Sequence, residues 1–337
     1  MSISLPNLKK IVVFTLVFSF IFSCFNENSN SNKAVIKVSG SKLDSIDSEP
    51  IIIERFEKLF YNSNSDELID IKNKYPYFFP NSFPDSVWLN RLNDPIQREV
   101  FNETQKKYKS IEFLEIELFN FFKKNKRLNI KFKKPKVITV ISDVDYRKKI
   151  ILNDSLLLIG IDNYLGSNHR FYYGLPSYIR EDLDKSNIIS HIAEQYALKI
   201  VPRNEFYTFI DKIIYHGKIL YYKDYCLPNL PDRLKIGYSQ KKMNWAIQNE
   251  NFVWTYFIQN DILFDPDNNL NNRFIYDAPF SRFYLEIDNQ SSEMIGKFIG
   301  WQIVKSYMLS NDITLNKMIN TSPIDIYNNS KYKPKRL

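Results

Sequence analysis

Ser190-His191-Ile192-Ala193-Glu194-Gln195 sits inside an apolar run from Asn187 to Val201. The run has the length of a helix, and Pro202 stops it. Residues four apart on a helix share a face, so a zinc peptidase helix carries His-Glu-x-x-His, with two imidazoles on the metal and the Glu as base. In that register this chain offers His191, Ile192 and Gln195. The first histidine is kept, the base is apolar and the second ligand is an amide. Glu194 lies three residues from His191, and Glu250 falls on a later helix where some zinc peptidases place a third ligand. His191, Glu194 and Glu250 are therefore the candidate metal residues. The only other histidines are His169 and His216. No zinc is expected, no residue is assigned a catalytic role, and His191 reads as a hydrogen-bonded histidine at the core boundary.

Outward from this helix, Val137 to Ile141 is β-branched and reads as a buried strand. Ile150 to Leu152 and Ser155 to Ile161, separated by Asn153-Asp154, read as a hairpin. Before them, Ile51 to Tyr61, Ser65 to Tyr75 (with Ser65 as N-cap), Asp85 to Leu92, Asp94 to Tyr108 and Ile111 to Lys124 read as helices. Ala34 to Val38 reads as a short strand. After it, Phe206 to His216 reads as a helix broken at Gly217. Trp245 to Asn260 and Ser291 to Leu309 follow, the last with Gly296 and Gly300 as a notch for close approach. The expected fold is α+β, predominantly helical with a small antiparallel sheet. The place of the His191 helix suggests a zincin-like core, that of a degenerate metallopeptidase or pseudopeptidase.

At the N-terminus, Lys9-Lys10 precede an apolar core from Ile11 to Phe22, too short to span a bilayer and suited to a signal peptide. Ile21-Phe22-Ser23-Cys24 reads as a lipobox, with Cys24 the lipidated first residue of the mature chain. Several acyl chains, palmitate among them, would hold it firmly where one would not. The expected organisation is a lipoprotein signal peptide over 1–23, a flexible tether over 24–34 and one globular domain over 35–337. The protein is expected in the cell envelope, membrane-anchored and facing the periplasm. The lack of an acidic residue directly after Cys24 points to the outer membrane.

The net charge is +8, with basic runs that are short and scattered, such as Lys123-Lys124 and Lys241-Lys242. Nucleic-acid binders concentrate their charge on one face, so no nucleic-acid partner is expected. Cys226 has no intramolecular partner once Cys24 is lipidated, and reads as a buried small residue. Asp265, Asp267 and Asn269 alternate as in a calcium loop. However, Leu270 and Tyr276 replace the required Gly and Glu, which leaves a polar turn. No nucleophile elbow or phosphate loop is present. Asp162, Asp224, Asp232, Asp277 and Asp288 read as solvated or capping loop residues. Tyr221-Tyr222, Trp245, Trp254, Phe280, Phe283-Tyr284 and Trp301 read as core, with a glycan- or peptide-binding cleft as the alternative.

A set of words in the second half resembles the gliding motility lipoprotein B family, envelope lipoproteins of gliding bacteria. They include Gly160-Ile161-Asp162 with Tyr164-Leu165-Gly166, Ile214-Tyr215-His216-Gly217-Lys218, Ile236-Gly237-Tyr238, and Trp245 with Asn249-Glu250 and Trp254. Ala278-Pro279-Phe280-Ser281, Ile299-Gly300-Trp301-Gln302-Ile303 and Ser330-Lys331-Tyr332 belong to the same set. They run from about Ile159 to the end, and Arg55-Phe56-x-x-Leu59-Phe60 agrees. The resemblance implies a role in gliding and the associated protein secretion, with envelope machinery proteins as partners. It supplies no enzymatic activity. The family is distantly similar to predicted zinc peptidases, whose signature this chain breaks at Ile192 and Gln195. The expected protein is non-catalytic and needs no cofactor. The alternative is an envelope hydrolase of metallopeptidase type with an unusual ligand set.

Overall fold

A computed structural model describes residues 50–334, apart from 130, 131 and 204. The leader, Cys24, the tether and the strand expected at Ala34 to Val38 lie outside the described residues. A four-stranded sheet, ordered β1-β2-β4-β3, carries the rest. Its strands are β1 (Ile53–Arg55), β2 (Lys136–Val140), β3 (Ile150–Leu152) and β4 (Leu156–Gly160).

The sheet is mixed, which corrects the expected antiparallel one. β1 runs parallel to β2 and β2 parallel to β4, while β3 alone is antiparallel. The cause is the length of the connections. β3 and β4 are joined by a short turn, in which Asn153 Oδ1 accepts from the backbone N–H of Ser155 and Leu156. Between β1 and β2 the chain makes a long crossover through five helices, and only a crossover can bring a strand back parallel. These are α1 (Phe56–Tyr61), α2 (Leu68–Lys74), α3 (Asp85–Asn93), α4 (Pro95–Lys107) and α5 (Glu112–Leu128).

The first expected helix therefore begins late. Ile53 to Arg55 pairs with Val137 to Thr139, so strand pairing overrides the helical spacing that starts at Ile53. Ser65 is not the cap of α2. Asn64 Oδ1 instead accepts from the N–H of Asp66 and Glu67. α4 begins at Pro95, and Asp94 caps it by accepting from the N–H of Ile96 and Gln97.

Alternation along the strands divides the interior in two. Val137, Leu157 and Ile159 face the main core. Ile138, with Val140, Leu156 and Leu158 beside it, faces a smaller one built on Phe60, Tyr61, Leu68, Tyr75 and Phe101 from α1–α4. The main core is completed by α6 (Ser177–Arg180), α7 (Ile188–Ile200), α8 (Phe209–Cys226), α9 (Asp232–Ile236), α10 (Gln240–Gln248), α11 (Glu250–Gln259), α12 (Asn269–Phe274), α13 (Ile295–Ser310), α14 (Leu315–Asn320) and α15 (Pro323–Asn329).

Three helix boundaries differ from the sequence reading. α8 runs through Gly217 without a break. The expected helix from Trp245 to Asn260 is two, separated at Asn249, whose backbone leaves helical geometry. The last long helix begins at Ile295, after Met294 in a left-handed conformation. Its apolar positions Ile295, Phe298, Ile299 and Ile303 are buried as the spacing demands. Cys226 is buried too.

Lys218, on α8, is buried and donates to the carbonyls of Ile319 and Thr321 at the end of α14. Burial lowers its ammonium from the usual lysine value to about 8. The unfolded chain then binds more protons than the folded one between about pH 8 and the ordinary lysine range. Stability contributed by this site therefore rises with pH through that window. The melting temperature of the protein relative to Lys218→Met is expected to climb from pH 8 to pH 10; a constant difference would refute this assignment.

Candidate functional site

The polar face of α7 opens onto a cavity of about 330 Å³. His191, Glu194 and Gln195, at i, i+3 and i+4, share that face. Ile188, Ile189, Ile192, Ala193 and Tyr196 are buried on the other side. α8 adds His216 and Lys223, and the start of α13 adds Glu293, Met294 and Lys297. β3 adds Ile150, α6 adds Tyr178, and the loops add Lys149, Asp182, Gly237 and Asp277.

His191 spends both ring nitrogens on protein. Its Nε2 lies 2.8 Å from Asp182 Oδ2, and its Nδ1 lies 2.9 Å from the Tyr164 hydroxyl. Burial lowers the imidazole below its ordinary value, against the opposing pull of Asp182. Tyr164 is fully buried, and burial keeps its hydroxyl protonated. The consistent arrangement is a neutral ring: Tyr164 donates to Nδ1, and the Nε2–H donates to Asp182. Burial would raise the Asp182 carboxyl. His191 and Lys149, whose Nζ lies 2.6 Å away, more than offset this and hold it below the carboxylate range.

Glu194 is similarly engaged. Its Oε2 accepts from Lys223 Nζ at 2.7 Å. Burial works to raise this carboxyl, but Lys223 and then Lys297 prevail and bring it down to about 2. Lys223 is almost fully buried and also donates to the Lys235 carbonyl at 2.8 Å and the Ser190 hydroxyl at 3.3 Å. His216 makes no hydrogen bond to a described residue. Burial, helped by the Lys297 charge, lowers it to about 3, so its ring is neutral.

The three candidate metal residues do not converge. Glu250 opens α11, outside the cavity lining, and accepts from the Tyr332 hydroxyl at 2.7 Å. A metal needs a free lone pair on an imidazole nitrogen, and His191 has none left. Among the described residues, no three of His, Cys, Asp and Glu are grouped so as to hold a metal. The zincin-like core is corrected on these grounds. A buried Ile192 stands where the base would be, His191 is locked between Asp182 and Tyr164, and Glu250 belongs elsewhere.

The other sequence candidates fall as follows. Asp265 and Asp267 accept from the N–H of Asp267 and Asn269, which makes the polar turn expected there. Tyr221, Tyr222, Phe283 and Trp301 are core, and none of the named aromatic residues lines the cavity. Two of the aspartates are not solvated loop residues. Asp162 is wholly buried and accepts from the N–H of Ser142 and Val144. Asp224 lies in α8 and accepts from Lys235 Nζ at 2.8 Å and Trp301 Nε1 at 2.7 Å. Sequence reading missed Asp182, Tyr164, Lys223 and Lys297. Each lies on a different element from the group it serves, and no local spacing marks it.

The chain matches the family described as gliding motility protein GldB over residues 37–334. No curated protein and no solved structure matches it. The match extends well upstream of the words that carry the resemblance in sequence, and takes in the helical crossover and all four strands.

Proposed function

Because the chain belongs to the gliding motility protein GldB family, we propose that it is a lipid-anchored envelope protein that supports gliding and the associated secretion through protein contacts, without catalysis. Family membership implies involvement in gliding motility. Among the described residues, no helix is long and apolar enough to cross a membrane. Attachment through lipidated Cys24, on the periplasmic side and at the outer membrane, is the reading the lipobox supports. The observation that carries the non-catalytic reading is the engagement of His191: both nitrogens are consumed by Tyr164 and Asp182, and a buried Ile192 follows.

Deleting the gene is expected to abolish colony spreading, and Cys24→Ala to release or mislocalise the protein. A strain carrying Glu250→Gln is expected to spread normally, and the purified chain to hold no stoichiometric zinc. A deletion strain that glides would end the motility role. Loss of spreading in Glu250→Gln at normal protein level, or one tightly held zinc per chain, would end the non-catalytic reading alone.

A further inference from the structure

The cavity beside α7 contains polar groups that the fold does not use. Most of its charges are neutralised within the protein: Lys149 by Asp182, Lys223 by Glu194, Lys235 by Asp224, and Glu293 by Lys242. Lys297 and Arg147 are the exceptions. Arg147 is exposed at the surface and lies over the Tyr146 ring. For Lys297 the nearest carboxylate, the largely exposed Asp277, is 3.9 Å away, and its closer contact is the Met294 thioether sulfur, a poor acceptor. The neutral His216 ring and the Gln195 amide also line the cavity with no hydrogen bond to a described residue. The Lys297 charge acts on both Glu194 and His216, which places the three in one region. Ile219, Leu220 and Ile236 supply apolar wall.

An ammonium whose closest acceptor is a thioether, and an imidazole and an amide with no hydrogen bond to a described residue, set against apolar wall, form a recognition surface for an oxyanion with an apolar body. In the same lining Asp277 is a largely exposed carboxylate, and Asp182 Oδ1 and Glu293 Oε2 are buried with no hydrogen bond to a described residue; these oxygens disfavour a doubly charged phosphate. They leave room for one negative charge. The volume lies at the lower end of the small-molecule range. We propose that this cavity binds a small, singly charged carboxylate ligand with an apolar body, such as an N-acylated amino acid or dipeptide. Its carboxylate rests on Lys297 Nζ and the His216 N–H, and an amide group of the ligand pairs with Gln195.

This inference goes beyond the motility role and is tested without it. The full-length chain in detergent is titrated by calorimetry with the acetylated dipeptide Ac-Leu-Leu as free carboxylate, with its C-terminal amide, and with phenyl phosphate. The free carboxylate is expected to bind saturably, and the other two at least about tenfold more weakly. Lys297→Met and His216→Gln are each expected to weaken the carboxylate by about tenfold, with Lys297→Arg restoring part of the loss. In the unaltered protein, labelled with isotope at its three histidines, the His216 ring resonances are expected to move with the carboxylate and stay still with the amide. This readout needs no variant to fold. No saturable binding up to roughly 10 mM, equal binding of acid and amide, tighter binding of phenyl phosphate, or indifference to Lys297→Met would overturn the proposal.

Discussion

Gly300→Ala is expected to cost about 3 kcal/mol of stability or more, one of the largest effects of any single methyl group in this chain. α8 and α13 cross with their backbones in contact. A Cβ on Gly300 would sit 1.8 Å from the Ile213 carbonyl oxygen, and one on Gly217 would sit 2.2 Å from the Gly300 carbonyl oxygen. Overpacking usually costs about 1–3 kcal/mol because a side chain can change rotamer. Here the obstacle is main chain at the centre of two long helices, and relief requires the helices to separate. Separation would open gaps around Trp301, Ile303 and Ile213, all fully buried. It would also pull Trp301 Nε1 and Lys305 away from Asp224 of α8. Against a typical total of about 5–15 kcal/mol, the variant should lose a large share of its folded population margin. Its melting temperature should fall by roughly 6–12 °C for a domain of this size. Gly174→Ala is the control, because a Cβ there meets nothing within 4 Å. Equal melting temperatures for the two variants would show that the helices do not cross as closely as described.

The same glycines mark how far the sequence could be read. The notch at Gly296 and Gly300 is visible as small residues on an otherwise bulky helical stripe. Gly217 reads instead as a break, because its partner lies more than eighty residues away. Local signals were legible where the deciding interactions are local. The start of a helix at Asp94, the Asn153 turn, the apolar stripe of α13 and the helical run from Asn187 to Val201 all involve neighbours within four residues. The parallel pairing of β1 with β2 was not legible. Three residues of strand followed at once by a helix carry no mark of a partner some eighty positions on. The site divides in the same way. The face of His191, Glu194 and Gln195 follows from helical spacing alone. What occupies those side chains follows from Asp182, Tyr164 and Lys223, which only the folded chain brings within hydrogen-bond reach.

Glu194→Ala is expected to destabilise the protein by about 3 kcal/mol, and adding Lys223→Met is expected to give part of that back. The two partners are unequally buried. The Lys223 side chain is 2% exposed and that of Glu194 39%. Removing the carboxylate leaves a buried ammonium with only the Lys235 carbonyl and the Ser190 hydroxyl as acceptors. Breaking a buried pair in this way costs about 3–5 kcal/mol, and the two remaining acceptors hold this case to the lower end. Lys223→Met alone should cost less, about 1–2 kcal/mol, because Glu194 can turn to water and the main loss is the donor to the Lys235 carbonyl. In the double variant the uncompensated charge is gone. It should therefore melt higher than Glu194→Ala and close to Lys223→Met, the reverse of additive behaviour. Additive losses would mean that Lys223 is hydrated and that the cavity wall is looser than the hydrogen bonds indicate. The pair should also weaken in acid. Glu194 is held at about 2 in the folded protein, so its contribution is complete above the ordinary carboxylate value and is lost as pH falls from there toward 2. That acid limb should be reduced in Glu194→Ala. Because Lys223 ties α7 to α9, the variants also measure how firmly the wall carrying His191 is fixed to the helices behind it.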